Sequence, residues 1–129
     1  MGKNRAVKRH EKNGRRILVI DDNSEICDLL QLIFSFHGFE VEGARTGAEA
    51  EKMLQQFRFD AVTVDLKLPD TTGEELAVKL RAAYPNMGVA ILSGGDPEGT
   101  LPDGIAFLRK PTEMTDLIAA IKRISGVAS

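Results

Sequence analysis

The sequence predicts a doubly wound α/β domain, a five-stranded parallel sheet in the order 2-1-3-4-5 with helices on both faces. Short apolar runs typical of buried strands alternate along the chain with amphipathic segments that have helical spacing. Several of these runs end in a polar residue, as strands do at the ligand-binding edge of such a sheet. The length of 129 residues suits one domain of this kind and favours five strands over the six of the dinucleotide-binding form.

The first half of the chain contains two predicted strands and two predicted helices. Residues 17–20 are apolar, β-branched at three of four positions, and followed by Asp21 and Asp22. The next segment has apolar residues at the spacing of one helix face: Ile26, Leu29, Leu30, Ile33 and Phe34. A weaker strand is predicted at 39–44, and a capping box that begins at Thr46 opens the second helix.

The second half continues the alternation. Further strands are predicted at 61–64, 89–92 and 105–108. A second capping box, from Thr72 to Glu75, opens the third helix. The last helix has a buried stripe formed by Leu117, Ala120, Ile121 and Ile124.

The segment 94–104 departs from this alternation. It contains four Gly, two Pro and three acidic residues, and its one sizeable apolar residue is Leu101. Gly and Pro disfavour helices, so we predict no regular helix between the fourth and fifth strands, or at most one turn.

Composition excludes several classes of protein. With 43% hydrophobic and 28% charged residues, the chain is typical of a soluble folded domain. No apolar run is long enough for a membrane span or a signal peptide. The single cysteine, Cys27, cannot form an intramolecular disulfide, and we expect a buried, inert thiol. These features predict a cytoplasmic protein that does not bind membranes.

The charge is divided between a basic arm and an acidic body. Residues 1–16 hold seven basic residues and one acid, a net charge of +6, and residues 17–129 hold ten basic and eighteen acidic residues, a net charge of −8. We interpret residues 1–15 as a flexible N-terminal arm and residues 16–129 as the domain. A weak anchor for nucleic acid or another anionic surface is the alternative for the arm, and nucleic acid is not expected as the main partner.

Five polar residues are predicted to meet at the carboxyl edge of the sheet: Asp21, Asp22, Asp65, Ser93 and Lys110. Two carboxylates about 4 Å apart repel each other by about 4 kcal/mol at an effective dielectric of 20. A hard divalent cation, Mg²⁺ or alternatively Mn²⁺, would relieve this repulsion. Together with a hydroxyl and an ammonium group, such a site could receive a phosphoryl group, which a carboxylate could attack. Helix capping, turn formation and a solvated charge are the structural alternatives for the single residues.

These motifs resemble the receiver domain of two-component response regulators. The resemblance covers Arg16 to about Gly126. It rests on four motifs in order, Ile-Leu-Val-Ile-Asp-Asp-Asn, Asp-Leu-Lys-Leu-Pro-Asp-Thr-Thr-Gly, Ile-Leu-Ser and Phe-Leu-Arg-Lys-Pro. It implies a flavodoxin-like fold and a partner that is a sensor histidine kinase or a histidine phosphotransfer protein. The downstream target is left open.

The resemblance also implies a role for each acidic residue. Asp65 would be the phosphoacceptor, taking the phosphoryl group from a phosphohistidine. Asp22 and the Asp65 carboxylate would hold Mg²⁺ together with the backbone carbonyl of Lys67, and Asp21 would act mainly through water.

Four further residues take roles by the same resemblance. Ser93 and Lys110 would contact the phosphoryl oxygens. Phe107 matches an aromatic switch position that turns inward as Ser93 is drawn toward the phosphate. The peptide bond between Lys110 and Pro111 is expected to be cis.

The chain ends soon after Gly126, so we expect a stand-alone receiver with a shortened or missing fourth helix, acting as a switch or relay intermediate rather than as an enzyme. A phosphohydrolase that uses Asp65 or Asp21 as nucleophile is one alternative. It is disfavoured because Asp21-Asp22-Asn23 does not fit the Asp-x-Asp motif of haloacid dehalogenase-type phosphatases. The other alternative is an inactive receiver-like scaffold, which the complete set of five polar residues disfavours.

Overall fold

The computed structural model describes residues 12–95, 101–109 and 113–127. Its strands are β1 (Arg16–Ile20), β2 (Glu40–Ala44), β3 (Ala61–Asp65), β4 (Gly88–Ser93) and β5 (Ile105–Arg109). Its helices are α1 (Ser24–Phe36), α2 (Gly47–Gln56), α3 (Gly73–Ala83) and α4 (Met114–Ser125). No helix in this part of the chain combines the length and the apolar composition that a membrane span requires.

All strand pairs in the sheet are parallel, and the order β2-β1-β3-β4-β5 confirms the predicted topology. β1 is the strand between the two halves of the sheet, because the chain moves outward from it to β2 and then returns across it to β3. The carboxyl ends of β1 and β3 are therefore neighbours at the point where the strand order reverses, the usual position of a binding site in this fold.

The side chains of β1 explain why the sheet is covered on both faces. Ile17 and Val19 face one hydrophobic cluster, which includes Phe34 of α1 and Ile121 of α4. The alternate residues of β1 face a second cluster, to which α2 and α3 contribute. Since residues 17–20 are at most 1% exposed, β1 reads as a continuous apolar run rather than as a pattern of period two.

The two predicted capping boxes start helices where expected. The Thr46 hydroxyl accepts a hydrogen bond of 3.0 Å from the backbone N–H of Glu49. The Thr72 hydroxyl accepts one of 3.1 Å from the backbone N–H of Glu75. Local side-chain chemistry thus determines where α2 and α3 begin.

The chain has a fourth helix, α4, which follows β5 and corresponds to the predicted last helix. The prediction of an absent or irregular helix concerns the earlier connection, between β4 and β5. Its residues 94–95 and 101–104 are not helical, and residues 96–100 lie outside the described residues. The basic arm also lies outside them as far as residue 11. Its flexibility, like the division at residue 16, therefore stays a prediction.

The close approach of α4 to β4 yields a test of the packing. A Cβ added to Gly88 would overlap the carbonyl oxygen of Ile124 and lie 2.8 Å from the Ile124 Cβ. We expect Gly88→Ala to lower the free energy of unfolding by about 1–3 kcal/mol, as overpacking does. Gly94→Ala is the control, because its added Cβ would meet nothing within 4 Å. Urea denaturation measures both, and equal stability of the two variants would contradict the packing described.

Candidate functional site

Three aspartates meet at the carboxyl edge of the sheet. Asp21 and Asp22 follow β1, and Asp65 is the last residue of β3. One carboxylate oxygen from each residue lies within 4.8 Å of the others. The parallel register produces this arrangement, because Ile20 pairs with Val64 and the next residue of each strand is an aspartate.

The surroundings of the three carboxylates differ. Asp21 is 4% exposed, and its carboxylate accepts a 3.0 Å hydrogen bond from the backbone N–H of Asn23. Asn23 in turn accepts a hydrogen bond from Ile26 and caps α1. Asp65 is half-buried and Asp22 is exposed. The cluster is therefore anchored on its inner side and open to water on its outer side.

The chemistry of this cluster fits a divalent metal ion. Carboxylate oxygens are the ligands that hard cations such as Mg²⁺ prefer, and three of them provide the charge to bind one. The exposed side at Asp22 leaves room for the water molecules that Mg²⁺ retains in proteins. The predicted metal-binding side chains are thus placed together.

Ser93 lies beside this cluster, at the end of β4. It is 3% exposed, and its hydroxyl oxygen accepts a 3.0 Å hydrogen bond from the backbone N–H of Gly95. Asp65, Lys67 and Ser93 all line one cavity of about 550 Å³. The Asp65 carboxylate and the Ser93 hydroxyl therefore line the same space, which is larger than a phosphoryl group needs.

Three further predicted residues belong to β5 or follow it. Phe107 pairs with Ile91 of β4, and its partly buried ring packs against the hydrophobic cluster under α2 and α3. Lys110 and Pro111 lie outside the described residues, so the contacts of Lys110 and the cis peptide stay predictions.

Comparison with known proteins places these features in a family. The sequence model of the family described as "Response regulator receiver domain" matches residues 17–122 of this chain. The chain belongs to the response regulator receiver domain family.

Among curated proteins, the receiver is 30% identical over 114 residues to the response regulator MprA of Mycobacterium leprae, an alignment of 84% of this chain and 50% of MprA. MprA of Mycobacterium ulcerans matches equally, with 49% of its length covered. The receiver spans about half the length of these relatives.

Solved structures share the fold over nearly their whole length. A receiver domain protein of Methanospirillum hungatei is 32% identical, with a TM-score of 0.77 over 87% of this chain and 94% of that chain. A sensor protein of Polaromonas is 27% identical, with a TM-score of 0.78 over 88% and 97%. The response regulator TrrA of Thermotoga maritima, solved in complex with Mg²⁺ and BeF, is 26% identical, with a TM-score of 0.76 over 85% and 98%.

Cys27 has no place in this site. It is buried in α1, and burial raises the pKa of its thiol. The predicted buried position is confirmed, and a raised pKa leaves little of the reactive thiolate at neutral pH.

Asp70, in the loop between β3 and α3, makes contacts that its sequence context did not predict. Its two carboxylate oxygens accept hydrogen bonds of 2.9 Å each from the backbone N–H groups of Gly47 and Ala48, at the start of α2. An aspartate after proline in a loop is typical of turns, and nothing in the sequence indicates that this one reaches a helix 22 residues earlier.

The hydrogen bonds of Asp70 predict a pH dependence of stability. The N–H groups of Gly47 and Ala48 lower the pKa of the Asp70 carboxyl below its ordinary 3.8. The unfolded chain therefore binds this proton more readily, so the contribution of Asp70 is fully present above pH 3.8 and is lost as the pH falls through the lower folded-state pKa.

We expect Asp70→Asn to be less stable than the wild type at neutral pH, and the difference to shrink as the pH is lowered below 3.8. Urea denaturation across this range measures it. Thr46→Ala is the control, because it removes a neutral cap from the same helix and its effect should not depend on pH. A difference between Asp70→Asn and the wild type that stays constant with pH would contradict the prediction.

Proposed function

We propose that this receiver accepts a phosphoryl group from a phosphohistidine onto Asp65 in a Mg²⁺-dependent reaction and acts as a phosphorylation-dependent switch or relay intermediate. The observation that carries the proposal is the meeting of Asp21, Asp22 and Asp65 within 4.8 Å, beside the cavity that Ser93 lines. The partner would be a sensor histidine kinase or a histidine phosphotransfer protein, since the receiver family implies such a partner and each of them presents a phosphohistidine.

The transfer exchanges one bond for another. A carboxylate oxygen of Asp65 forms a bond to phosphorus, while the bond between phosphorus and the donor imidazole nitrogen breaks. The imidazole keeps the electron pair of the broken bond, and Asp65 becomes an acyl phosphate. Because Asp65 is half-buried at the end of a central strand, its backbone is held in place and only the side chain must align with the donor.

Asp22, Asp65 and the backbone carbonyl of Lys67 would hold the Mg²⁺, with Asp21 acting through water. When bound, the ion neutralises the acidic cluster and stabilises the charge on the transferred group. Asp21 contributes by orientation: its backbone N–H donates a 3.0 Å hydrogen bond to Ala44, and its carboxylate is fixed by Asn23.

Three groups would respond to the phosphoryl group. The Ser93 hydroxyl, which accepts its hydrogen bond from Gly95, would donate its own proton to a phosphoryl oxygen. Movement of Ser93 would let Phe107 turn inward, which changes the surface of β5, and Lys110 would pair with the remaining oxygens. In the described residues, the partly buried position of Phe107 supports this role.

A receiver of this kind would not act as a metabolic enzyme. The same site would assist the uptake of the phosphoryl group and its slow hydrolysis, so each cycle returns phosphate and the free Asp65. We also propose a cytoplasmic location, which the free thiol of Cys27 fits.

The acceptor assignment predicts that Asp65→Asn abolishes phosphorylation. The amide is a far weaker nucleophile than the carboxylate, so acetyl phosphate with Mg²⁺ should modify the wild type and not the variant. Intact-mass spectrometry measures the product. Asp28→Asn, which changes an exposed carboxylate on α1, is the matched control and should be modified like the wild type. Uptake by Asp65→Asn at the wild-type rate would refute the assignment.

The metal assignment predicts that Asp22→Ala weakens Mg²⁺ binding by roughly tenfold or more, since it removes a ligand and a negative charge. Isothermal titration with MgCl₂ measures the dissociation constant. Asp28→Ala should keep the wild-type value, because the Asp28 carboxylate is not among the clustered aspartates. An unchanged constant for Asp22→Ala would exclude Asp22 as a ligand.

A further inference from the structure

We infer that Asp70 is a positioning residue of the metal site, which fixes the loop bearing Lys67 against the N-terminus of α2. The inference rests on the proposed function, in which the Lys67 carbonyl is a ligand. Asp70 does not itself belong to the cluster of Asp21, Asp22 and Asp65. Its effect would be transmitted through the backbone of the loop.

The loop that carries Lys67 is a narrow hairpin-like turn. At its base, the backbone N–H of Gly73 donates to the carbonyl of Leu66 at 2.6 Å. Next, Lys67 forms an antiparallel bridge with Thr72. The loop therefore has an internally fixed shape, and its remaining freedom is to tilt as a unit about the base. A contact at the tip, where Asp70 lies, would remove this freedom.

Asp70 makes that contact with both carboxylate oxygens. The two N–H groups of Gly47 and Ala48 have no partner within α2, because they belong to the first turn of the helix. Since the third N–H of this turn is bound by Thr46, Asp70 and Thr46 together satisfy the start of the helix. A carboxylate at this end is also favoured by the helix dipole. The methyl group of Thr71 also packs closely on Gly47. It leaves no room for a side chain there, since a Cβ added to Gly47 would lie 2.8 Å from this methyl group.

The start of α2 is in turn connected to Asp21 through the end of β2. The Asp21 N–H donates to the carbonyl of Ala44 at 3.0 Å, and Ala44 is three residues from Gly47 along the chain. The contacts thus form a closed ring from Asp21 through β2 and the start of α2 to Asp70, and back along the loop to Asp65. The two sides of the metal site are connected through this ring as well as through the sheet.

Opening the ring would let the Lys67 carbonyl move relative to the aspartates, so that binding the ion would have to order the loop. We expect Asp70→Ala to weaken Mg²⁺ binding about tenfold, the lower end of the effect of residues that orient metal ligands. Asp70→Asn keeps one acceptor oxygen and should give a smaller loss.

The matched control is Thr46→Ala, which removes the other cap of the same turn of α2, a hydrogen bond to Glu49 in which the loop takes no part. It should also lower the thermal stability, while its Mg²⁺ affinity stays within about twofold of the wild type, the limit for independent sites. Isothermal titration with MgCl₂ alone, well below the melting temperature of each variant, measures the affinities. Circular dichroism verifies that each variant is folded.

The outcomes separate the two proposals. If the wild type and Asp70→Ala bind Mg²⁺ equally, or if Thr46→Ala weakens binding as much as Asp70→Ala does, Asp70 acts on helix stability and the inference is wrong. If the wild type itself does not bind Mg²⁺, the proposed function fails and the inference fails with it. Weaker binding by Asp70→Ala, with Thr46→Ala unchanged, confirms the positioning role.

Discussion

The pairing of β1 with β3 is the constraint on which the site depends. These strands are parallel neighbours, and their last paired residues, Ile20 and Val64, are each followed by an aspartate. Neighbouring strands lie about 4.8 Å apart, so the two carboxylates cannot separate far without breaking the sheet. Their repulsion cannot shift the register either, because a slip would displace side chains that are buried on both faces. The apolar core thus holds like charges together.

This arrangement places stability and function in different parts of the same strands. β1 and β3 are buried along their length and contribute to both hydrophobic clusters. Their carboxyl ends emerge into a region where loops supply polar groups and water has access. A rigid support of this kind fixes reactive groups more precisely than a loop could, and it tolerates the electrostatic cost because the buried area offsets it.

The start of α2 shows how a helix terminus can connect separate elements. A helix needs partners for its first N–H groups, and they need not come from nearby residues. Thr46 is a local partner, whereas Asp70 comes from the loop after β3. The same interaction that completes the helix therefore ties that loop to the other half of the sheet. A cap shared between two elements in this way makes the position of one depend on the other.

The strand and helix segments, their order and the capping residues Thr46 and Thr72 were predictable from the sequence, because hydrophobic periodicity and capping are local properties. The convergence of Asp21, Asp22 and Asp65 was also predictable, since parallel topology brings strand ends to one edge. The presence of α4 after β5 was predictable for the same reason of periodicity. The switch role of Phe107 was not settled by its pattern, because an aromatic residue in a strand packs in a core with or without such a role.

The sequence by itself determined the fold class and the chemical types gathered at the carboxyl edge, because both follow from patterns within short segments. The tertiary structure decided which oxygens come within reach of one another, how deeply each aspartate is buried and where Asp70 makes its hydrogen bonds. These depend on distances between residues far apart in the chain. Such distances are determined by the packing of helices on the sheet, which no local pattern encodes.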